Sequence, residues 1–428
     1  MYPRHFFQSQ CATPDGNQID QIVSAAFCDV LILDPDFLIS ACKEGPDANP
    51  VARIKSVNSE ATVFAYVSPA DYQPYQSDFV CRLKLGFDQE WLVKNATGDR
   101  KPIALYTAAD GSKTYLMNVT MPQFREHLVK TILSFEPLRN LDGIYLDWGC
   151  DVGYLATNRS DGTPYVPGGV DLFNSGSAVS RDVLHEEWRR GWNAVAEALW
   201  EEAGLWIIGN SGYQGSQGFQ NDGAMLEGFM AGAAPTAGAW GSWSIVMKNF
   251  AYYSHRQFSF IQHNAAKSGL TVGTPACLQA QRFAFASAML LSGGIVLSGP
   301  DPYVDRLFID ELGVDRYGAA SQSHEDMHWL GDPLNDAYDA TLGPGGVRLQ
   351  EALFNKTPDW IETRVWGRDF ENGAVRVLPG GAAASQVPIG PGLRFIKGTV
   401  DPTVNNGGNA GPLLSVLPRT GVVLFRAN

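Results

Sequence analysis

The sequence lacks the features that mark several large classes of protein. No apolar run approaches the roughly 18 residues that a membrane helix needs, and the longest candidate is interrupted by Gly293 and Gly294. The N-terminus has no basic segment followed by an apolar stretch, so no secretory signal is expected. Basic residues are also few: 32 Lys plus Arg stand against 45 Asp plus Glu, and the net charge is −13. This balance disfavours nucleic acid and anionic membranes as partners.

Metal-binding and cofactor motifs are missing as well. The chain has no CxxC pair, GxSxG elbow, P-loop or HExxH motif, and its seven histidines form no metal-ligand set at strand ends. We therefore expect no metal and no organic cofactor. The six cysteines are scattered and are interpreted mainly as small buried apolar residues: Cys11, Cys28, Cys42, Cys81, Cys150 and Cys277.

What is present describes a large globular protein. The chain has 428 residues, of which 45% are hydrophobic and 18% are charged. That length suits a barrel of about 250 residues with an appended domain. Aromatic residues at 11% and 45 glycines are compatible with a sugar-binding cleft, although β-rich cores use them too.

Apolar runs alternate with amphipathic stretches up to about residue 320, which predicts an α/β fold. Helices are expected at 121–135, 185–202, 247–266 and 276–291. Eight strands are expected at 28–34, 61–68, 114–120, 142–148, 205–210, 223–229, 269–274 and 294–299. The sequence thus predicts a (β/α)8 TIM barrel over residues 1–340. Beyond that, alternating residues separated by Gly, Pro and Asn predict a small antiparallel β-sandwich domain over 341–428.

Two acids end otherwise apolar strands, namely Asp147 in GIYLDWG and Glu227 in AMLEGF. Catalytic groups of such barrels lie at the carboxyl ends of the strands. Burying a carboxylate there costs desolvation free energy unless the carboxylate is paired or has a functional role. Each acid alone could instead cap a helix or pair with an arginine. Together they fit glycoside hydrolysis, with a separation that suits either a retaining or an inverting reaction.

Further residues near the predicted strand ends are candidates for substrate binding. Asp34 could bind sugar hydroxyls or belong to an ordinary Asp-Pro-Asp turn. Asp151 could bind substrate or lie in a solvated loop. Aromatic faces could stack on sugar rings or simply pack, and they come from Tyr66, Trp148, Tyr154 and Tyr213. The other polar residues expected at strand ends are Asp36, Ser68, Asn118, Asn210, Thr274 and Ser298, of which we assign Asn210 to substrate binding.

A succession of segments resembles a known family over roughly residues 28–428. These segments are ARIKSVNSEATVFAYVS, DGIYLDWGCD, GAMLEGF, HWLGDPL, RVWGRDFENGAVRVLP and GVVLFR. They are similar to the hypothetical glycosyl hydrolases related to endo-α-1,4-polygalactosaminidases. The resemblance implies a barrel with a C-terminal β-sandwich that acts on α-linked glycans, with Asp147 as nucleophile and Glu227 as acid/base. The chain departs from related barrels at the predicted third strand, where Asn118 stands in place of an aspartate.

The leading hypothesis is a retaining glycoside hydrolase whose partner is a polysaccharide or oligosaccharide substrate. One alternative is a barrel without turnover that binds glycan or builds a structure, for example a phage tail or virion component that assembles into a particle or oligomer. Such a soluble protein would be virion-associated or exported by a route other than Sec. A second alternative, a deacetylase, is disfavoured by the missing metal ligands.

Overall fold

The computed structural model describes most of the chain, which forms two compact units. One unit comprises Met1–Ser9, Phe27–Val30 and Gly223–Asn428, and the other comprises Gln10–Ala26 and Leu31–Asp222. The described residues are 2–8, 28–33, 38, 50–68, 71–72, 89–107, 110–134, 141–147, 152–159, 161–210, 220–229, 242–254, 256–265, 268–298, 308–321, 328–381 and 383–426. The predicted domain boundary between residues 340 and 341 stays a prediction.

The described strands fall into a parallel group and several antiparallel groups. The first thirteen are β1 (Phe6–Gln8), β2 (Val30–Leu33), β3 (Thr62–Val67), β4 (Asp71–Tyr72), β5 (Lys94–Asn95), β6 (Ala104–Thr107), β7 (Lys113–Leu116), β8 (Gly143–Leu146), β9 (Val170–Asp171), β10 (Trp206–Asn210), β11 (Gly223–Leu226), β12 (Phe260–Asn264) and β13 (Gly294–Ser298). The C-terminal ones are β14 (Tyr338–Asp339), β15 (Trp366–Phe370), β16 (Gly373–Leu378), β17 (Ser385–Pro388), β18 (Leu393–Phe395), β19 (Leu413–Val416) and β20 (Thr420–Arg426).

The helices in the described ranges lie mostly between the strands. They are α1 (Pro50–Val57), α2 (Pro122–Ser134), α3 (Arg181–Ala203), α4 (Trp243–Ala251), α5 (Pro275–Leu290), α6 (Leu349–Asn355) and α7 (Pro358–Glu362). None of these helices is long and apolar enough to span a bilayer.

The parallel strands follow chain order, as in a TIM-type barrel: β1, β2, β3, β8, β10, β11, β12 and β13. The residues just before β1 bond to β13, the last strand of this order, and to β2. The Ile295 N–H in β13 donates to the Arg4 carbonyl oxygen at 3.2 Å, and the Val30 N–H in β2 donates to the His5 carbonyl oxygen at 3.3 Å. The parallel, curled sheet with its helices confirms the predicted TIM-barrel class.

Helix α3 shows how the apolar pattern positions the elements. Ser180 caps its start by accepting the Val183 N–H, and Gly204 ends it in the left-handed conformation at φ 65°. The predicted apolar face is buried, with Trp188, Trp192, Val195 and Leu199 each at most 2% exposed. Helix α2 likewise buries its predicted face of Phe124, Leu128 and Ile132. Amphipathic spacing therefore predicted both helices correctly.

The C-terminal region consists of antiparallel sheets, as its alternating sequence predicts. A five-stranded sheet has the order β14, β15, β16, β20 and β18, and a two-stranded sheet pairs β17 with β19. Both sheets contribute to one core, which includes Val387, Leu414 and Val416 from the small sheet and Leu424 from the large one. The region predicted as a β-sandwich is not all β-structure, because residues 349–355 and 358–362 form helices α6 and α7, and the first long strand begins only at Trp366.

Two of the predicted barrel strands are wrong. Residues 114–116 belong to β7, which pairs antiparallel with β4 and β6 in a separate three-stranded sheet. Asn118 is fully buried there, donating from Nδ2 to the Leu172 carbonyl oxygen at 2.8 Å. Residues 269–274 form turns because Gly269 and Gly273 adopt positive φ. Thr274 then caps helix α5 instead of ending a strand.

Two real barrel strands replace them. Strand β1 has only three residues, too few for a periodic signal. Strand β12 lies inside residues 247–266, which were predicted as helical. Strand β1, which was not predicted, comes before β8 in this order and takes the place of the wrongly predicted third strand in the count. Strand β8 is therefore still the fourth strand and β11 still the sixth.

Candidate active site at the carboxyl ends of the strands

Asp147 follows strand β8 directly, and its carboxylate is held by both neighbouring strands. The Tyr66 hydroxyl in β3 donates to Oδ2 at 2.6 Å, and Nδ2 of Asn210 in β10 donates to Oδ1 at 2.9 Å. The backbone N–H of Asp147 donates to the Val67 carbonyl oxygen at 2.9 Å. Three of the predicted site residues are thus brought together, with each carboxylate oxygen fixed by a different strand.

The strand register explains this convergence. Tyr66 is paired with Tyr145, and Gly209 with Leu146, so Asn210 lies beside Asp147. Because side chains alternate along a strand, Tyr145 and Asp147 share a face. The Tyr66 ring stacks on the buried Tyr145 ring with centroids 5.4 Å apart, which orients its hydroxyl toward the carboxylate. A sugar-stacking role for Tyr66 stays a prediction.

The chemistry available to Asp147 follows from this setting. The side chain is half-buried, and the Tyr66 hydroxyl and the Asn210 amide that donate to it are neutral groups. These two hydrogen bonds fix the direction of the carboxylate lone pairs. A carboxylate oriented in this way can act as nucleophile, as general base or as acceptor for a ligand hydroxyl.

Glu227 lies in the other compact unit, on the turn that follows strand β11. It is half-buried, and the next residue, Gly228, has φ of 61°, which glycine adopts without steric cost. The Phe229 N–H then donates to the Gln262 carbonyl oxygen in β12 at 2.9 Å. The turn that carries Glu227 is therefore fastened to the adjacent strand.

His263 in β12 makes a second contact to this turn. Its Nδ1 lies 3.2 Å from the Phe229 carbonyl oxygen, and because a carbonyl only accepts, Nδ1 is the protonated nitrogen. Burial lowers the pKa of His263 to about 4, partly offset by this hydrogen bond. The imidazole is neutral at neutral pH. Sequence reasoning missed it because β12 was predicted as helix, although the aromatic and β-branched Phe260 and Ile261 are typical of a strand.

Each candidate acid is preceded by an Asp-Gly pair that has a structural role. Asp142 Oδ2 accepts the Val63 N–H at 2.7 Å and the Lys55 Nζ at 2.8 Å. Asp222 Oδ2 similarly accepts the Ile207 N–H at 2.8 Å. A side chain at Gly143 would collide with the Phe64 ring and the Trp206 carbonyl oxygen. The spacing Asp-Gly, three apolar residues and an acid recurs at 142–147 and 222–227 and could have signalled both turns.

The remaining candidates divide into described and undescribed residues. Tyr154 lies in a short 3₁₀ helix, Gly153–Ala156, with its ring edge-on to Tyr165 at 5.3 Å. Asp34, Trp148, Asp151 and Tyr213 lie outside the described residues, as does Asp36. Their predicted roles stay predictions.

Two of the six cysteines, Cys28 and Cys277, lie in the described residues, and both are buried, as predicted. The other four lie outside the described residues. Within the described ranges, no group of three or more His, Cys, Asp or Glu is arranged to hold a metal ion.

Comparison with solved structures shows what kind of protein has this fold. A GH31 dextranase from Flavobacterium johnsoniae, in complex with glucose, matches at 13% identity and a TM-score of 0.50, over 99% of this chain and 51% of its own. A variant of the glycoside hydrolase domain of PelA from Pseudomonas aeruginosa matches at 16% identity and a TM-score of 0.40, over 71% of this chain and 97% of that one. Trehalose-6-phosphate hydrolase from Bacillus licheniformis matches at 11% identity and a TM-score of 0.45, over 99% of both chains.

The protein therefore shares the TIM-barrel fold of glycoside hydrolases. It spans about half the length of the dextranase, and at this identity the likeness concerns the fold alone. A scan of protein-family models and a search of curated proteins each found no match.

Proposed function

We propose that this protein is a retaining glycoside hydrolase that acts on an α-linked polysaccharide, with Asp147 as nucleophile and Glu227 as acid/base. The observation that supports this most directly is the Asp147 carboxylate at the end of β8, oriented by Tyr66 and Asn210. A nucleophilic carboxylate must be ionised and directed, and these two donors favour both. The fold shared with glycoside hydrolases supports the same reaction class.

In the first step, one carboxylate oxygen of Asp147 attacks the anomeric carbon. A carbon–oxygen bond to the enzyme forms as the glycosidic carbon–oxygen bond breaks, and Glu227 gives its proton to the leaving oxygen. The products of this step are the shortened glycan and a glycosyl ester on Asp147. Glu227 is left as a carboxylate.

In the second step, Glu227 takes a proton from water as the water oxygen attacks the anomeric carbon. The ester bond to Asp147 breaks, which restores the free carboxylate and releases the sugar with its original anomeric configuration. The Tyr66 and Asn210 donors stabilise the Asp147 carboxylate when it leaves.

The direct test is the release of reducing ends from a panel of galactosamine-rich and bacterial surface polysaccharides. The wild type is compared with Asp147→Asn, Glu227→Gln and, as a matched control, Glu202→Gln on the exposed side of α3. Release that disappears in the first two variants and persists in the control supports the proposal. Binding without release, unchanged in Asp147→Asn, favours the alternative of a glycan-recognition barrel.

The covalent route has its own test. In Asp147→Gly the attacking carboxylate is absent, and added azide can occupy its place and form a glycosyl azide of inverted configuration. Recovery of activity with azide supports the nucleophile assignment. Full hydrolysis by Asp147→Gly without azide contradicts it.

A further inference from the structure

A cavity of about 470 Å³ opens where the C-terminal end of α5 meets β15 and the start of α6. Its volume falls in the range of small-molecule sites. Three polar residues with little or partial exposure line it: Ser254, Ser292 and Arg368. All of its lining residues belong to the unit that contains residues 223–428. Nothing in the proposed hydrolysis uses this cavity, which we call the Arg368 pocket.

The Arg368 guanidinium is only partly used by the protein. Arg368 is 6% exposed, and three of its five N–H donors are occupied. Nε donates to the Asn335 carbonyl oxygen at 3.0 Å, while Nη1 donates to the Met289 carbonyl oxygen at 3.0 Å and to the Ser292 hydroxyl at 2.7 Å. Both hydrogens of Nη2 are left without an acceptor among the described residues.

No carboxylate in the described part of the chain lies within ion-pairing distance of the Arg368 guanidinium. Asp336, which lines the same pocket, acts on this charge only from farther away, and the aromatic ring of Phe370 lies 5.5 Å from it. Burial lowers the pKa of Arg368, because desolvation penalises the charged form. A buried cation without a carboxylate partner is costly, and a bound anion would offset that cost.

Ser292 supplies a second donor beside Nη2. Its backbone is in the left-handed region at φ 61°, a conformation unusual for serine, and its hydroxyl oxygen already accepts from Nη1. The hydroxyl hydrogen is therefore available to donate. A charged donor and a neutral donor thus lie side by side in the Arg368 pocket.

The rim of the pocket limits the charge of its ligand. Arg348 pairs with Asp336 at 3.1 Å, and Glu351 is exposed beside them. The lining has two basic and two acidic side chains, so its formal charge is zero. A single negative charge suits this balance better than a polyanion. Ser254 and Gln350 add polar groups that can bind hydroxyls.

We propose that the Arg368 pocket binds a small hydroxylated carboxylate, such as a sugar acid, with the carboxylate on Arg368 Nη2 and the Ser292 hydroxyl. Because Nε and Nη1 are occupied, Arg368 can contact the carboxylate only through Nη2 and not in the bidentate geometry. We therefore expect a dissociation constant of about 1 mM. This site is independent of the chemistry proposed for Asp147.

The test is the binding of sodium D-glucuronate to the full chain, measured by saturation-transfer NMR and calorimetry. D-glucose at matched ionic strength is the neutral control. Glucuronate is expected to bind at least about tenfold more tightly than glucose, since a hydrogen bond to a charged group is worth more than one to a neutral group. The Asp147→Asn variant is expected to bind glucuronate as the wild type does, which separates this pocket from the proposed active site.

Two variants identify the pocket. Arg368→Lys should weaken binding by about tenfold, because it removes the Nη2 donors. Glu351→Gln changes only an exposed rim charge and should strengthen binding by about twofold, an effect that misfolding would not produce. Equal binding of glucuronate and glucose, or glucuronate binding that neither variant changes, would overturn the proposal.

Discussion

The Tyr66 hydroxyl donates a 2.6 Å hydrogen bond to Oδ2 of Asp147, although the two residues are 81 positions apart in the chain. The contact exists because β3 and β8 are parallel neighbours whose register pairs Val67 with Leu146. Stacking on Tyr145 fixes the donor ring. The relationship makes Tyr66 a positioning residue for the proposed nucleophile.

Replacing Tyr66 with Phe should lower kcat about tenfold with little change in KM. The substitution removes one donor to the carboxylate and keeps the ring, and a hydrogen bond to a charged group contributes about 1.5 to 3 kcal/mol. The measurement is steady-state release of reducing ends. The exposed Tyr317 provides the matched control, since Tyr317→Phe should leave kcat unchanged. Equal kcat in wild type and Tyr66→Phe would show that this hydrogen bond does not assist catalysis.

Replacing Asn210 with Asp should move the acid limb of the pH–activity profile to higher pH. The wild-type amide donates to Asp147 at 2.9 Å, whereas a carboxylate in that place repels it. Two carboxylates so close cannot both ionise easily, which raises the pKa at which the pair loses its second proton. An Asn210→Ala variant, which loses the donor without adding charge, should lower activity with a smaller pH shift. Matching profiles for Asn210→Asp and the wild type would contradict the prediction.

His263 should make the folded protein less stable as the pH falls from about 6.5 to about 4. Its folded-state pKa is about 4 against an ordinary value of 6.5, so in this window the unfolded chain binds a proton that the folded chain excludes. The free energy of unfolding should drop by about 3 kcal/mol over that range from this group. Urea unfolding at pH 4.5 and pH 7 measures it.

The control compares His263→Gln with Val57→Gln at an exposed position that carries no ionisable group. The first variant should flatten the pH dependence of the unfolding free energy below pH 6.5, because the titrating group is gone. The second should keep the wild-type slope. An unaltered slope in His263→Gln would assign the acid sensitivity to other groups.

Removing the Arg282 guanidinium should destabilise the protein strongly. Arg282 in α5 is 5% exposed and donates to buried Glu311 and, at 2.7 Å, to Asp401. Arg282→Met would leave the Glu311 charge uncompensated, at a cost of about 3 to 5 kcal/mol. Arg190→Met, which breaks an exposed pair with Glu187, should cost less than about 1 kcal/mol. Similar unfolding free energies for the two variants would contradict this difference.

Adding one methyl group at Gly143 should destabilise β8. The new Cβ would collide with Phe64 and with the Trp206 backbone oxygen, which belongs to the neighbouring strand and cannot easily move. Gly143→Ala should therefore cost about 1 to 3 kcal/mol in denaturant unfolding. The control is Gly98→Ala, where the added atom meets nothing within 4 Å and the change should stay within about 0.5 kcal/mol.

The elements with strong local patterns were predictable from the sequence. The apolar spacing of Trp188, Trp192, Val195 and Leu199 indicated one face of α3, and that face is buried. Continuous apolar runs indicated β3, β8, β10, β11 and β13, and alternation indicated the C-terminal sheets. These signals are local consequences of burial, which is why one sequence was sufficient.

The weak elements were not predictable, because strand pairing rather than local pattern defines them. Residues 114–116 form a real strand, but it joins a small antiparallel sheet and not the barrel. Strand β12 contains Gln262, His263 and Asn264, a polar run that is buried because β11 and β13 flank it. The local pattern of a segment does not indicate which strands will flank it in the sheet.

The candidate site divides in the same way. The sequence by itself determined that Asp147 and Glu227 end apolar strands, since an acidic residue directly after an apolar run can be recognised without any structure. Only the tertiary structure decided that Tyr66 and Asn210 hold the Asp147 carboxylate and that β12 fastens the turn after Glu227. The physical reason is that the apolar and polar pattern of each segment indicates which of its side chains are buried. A hydrogen bond between strands depends instead on their register, which is set only when distant segments pair.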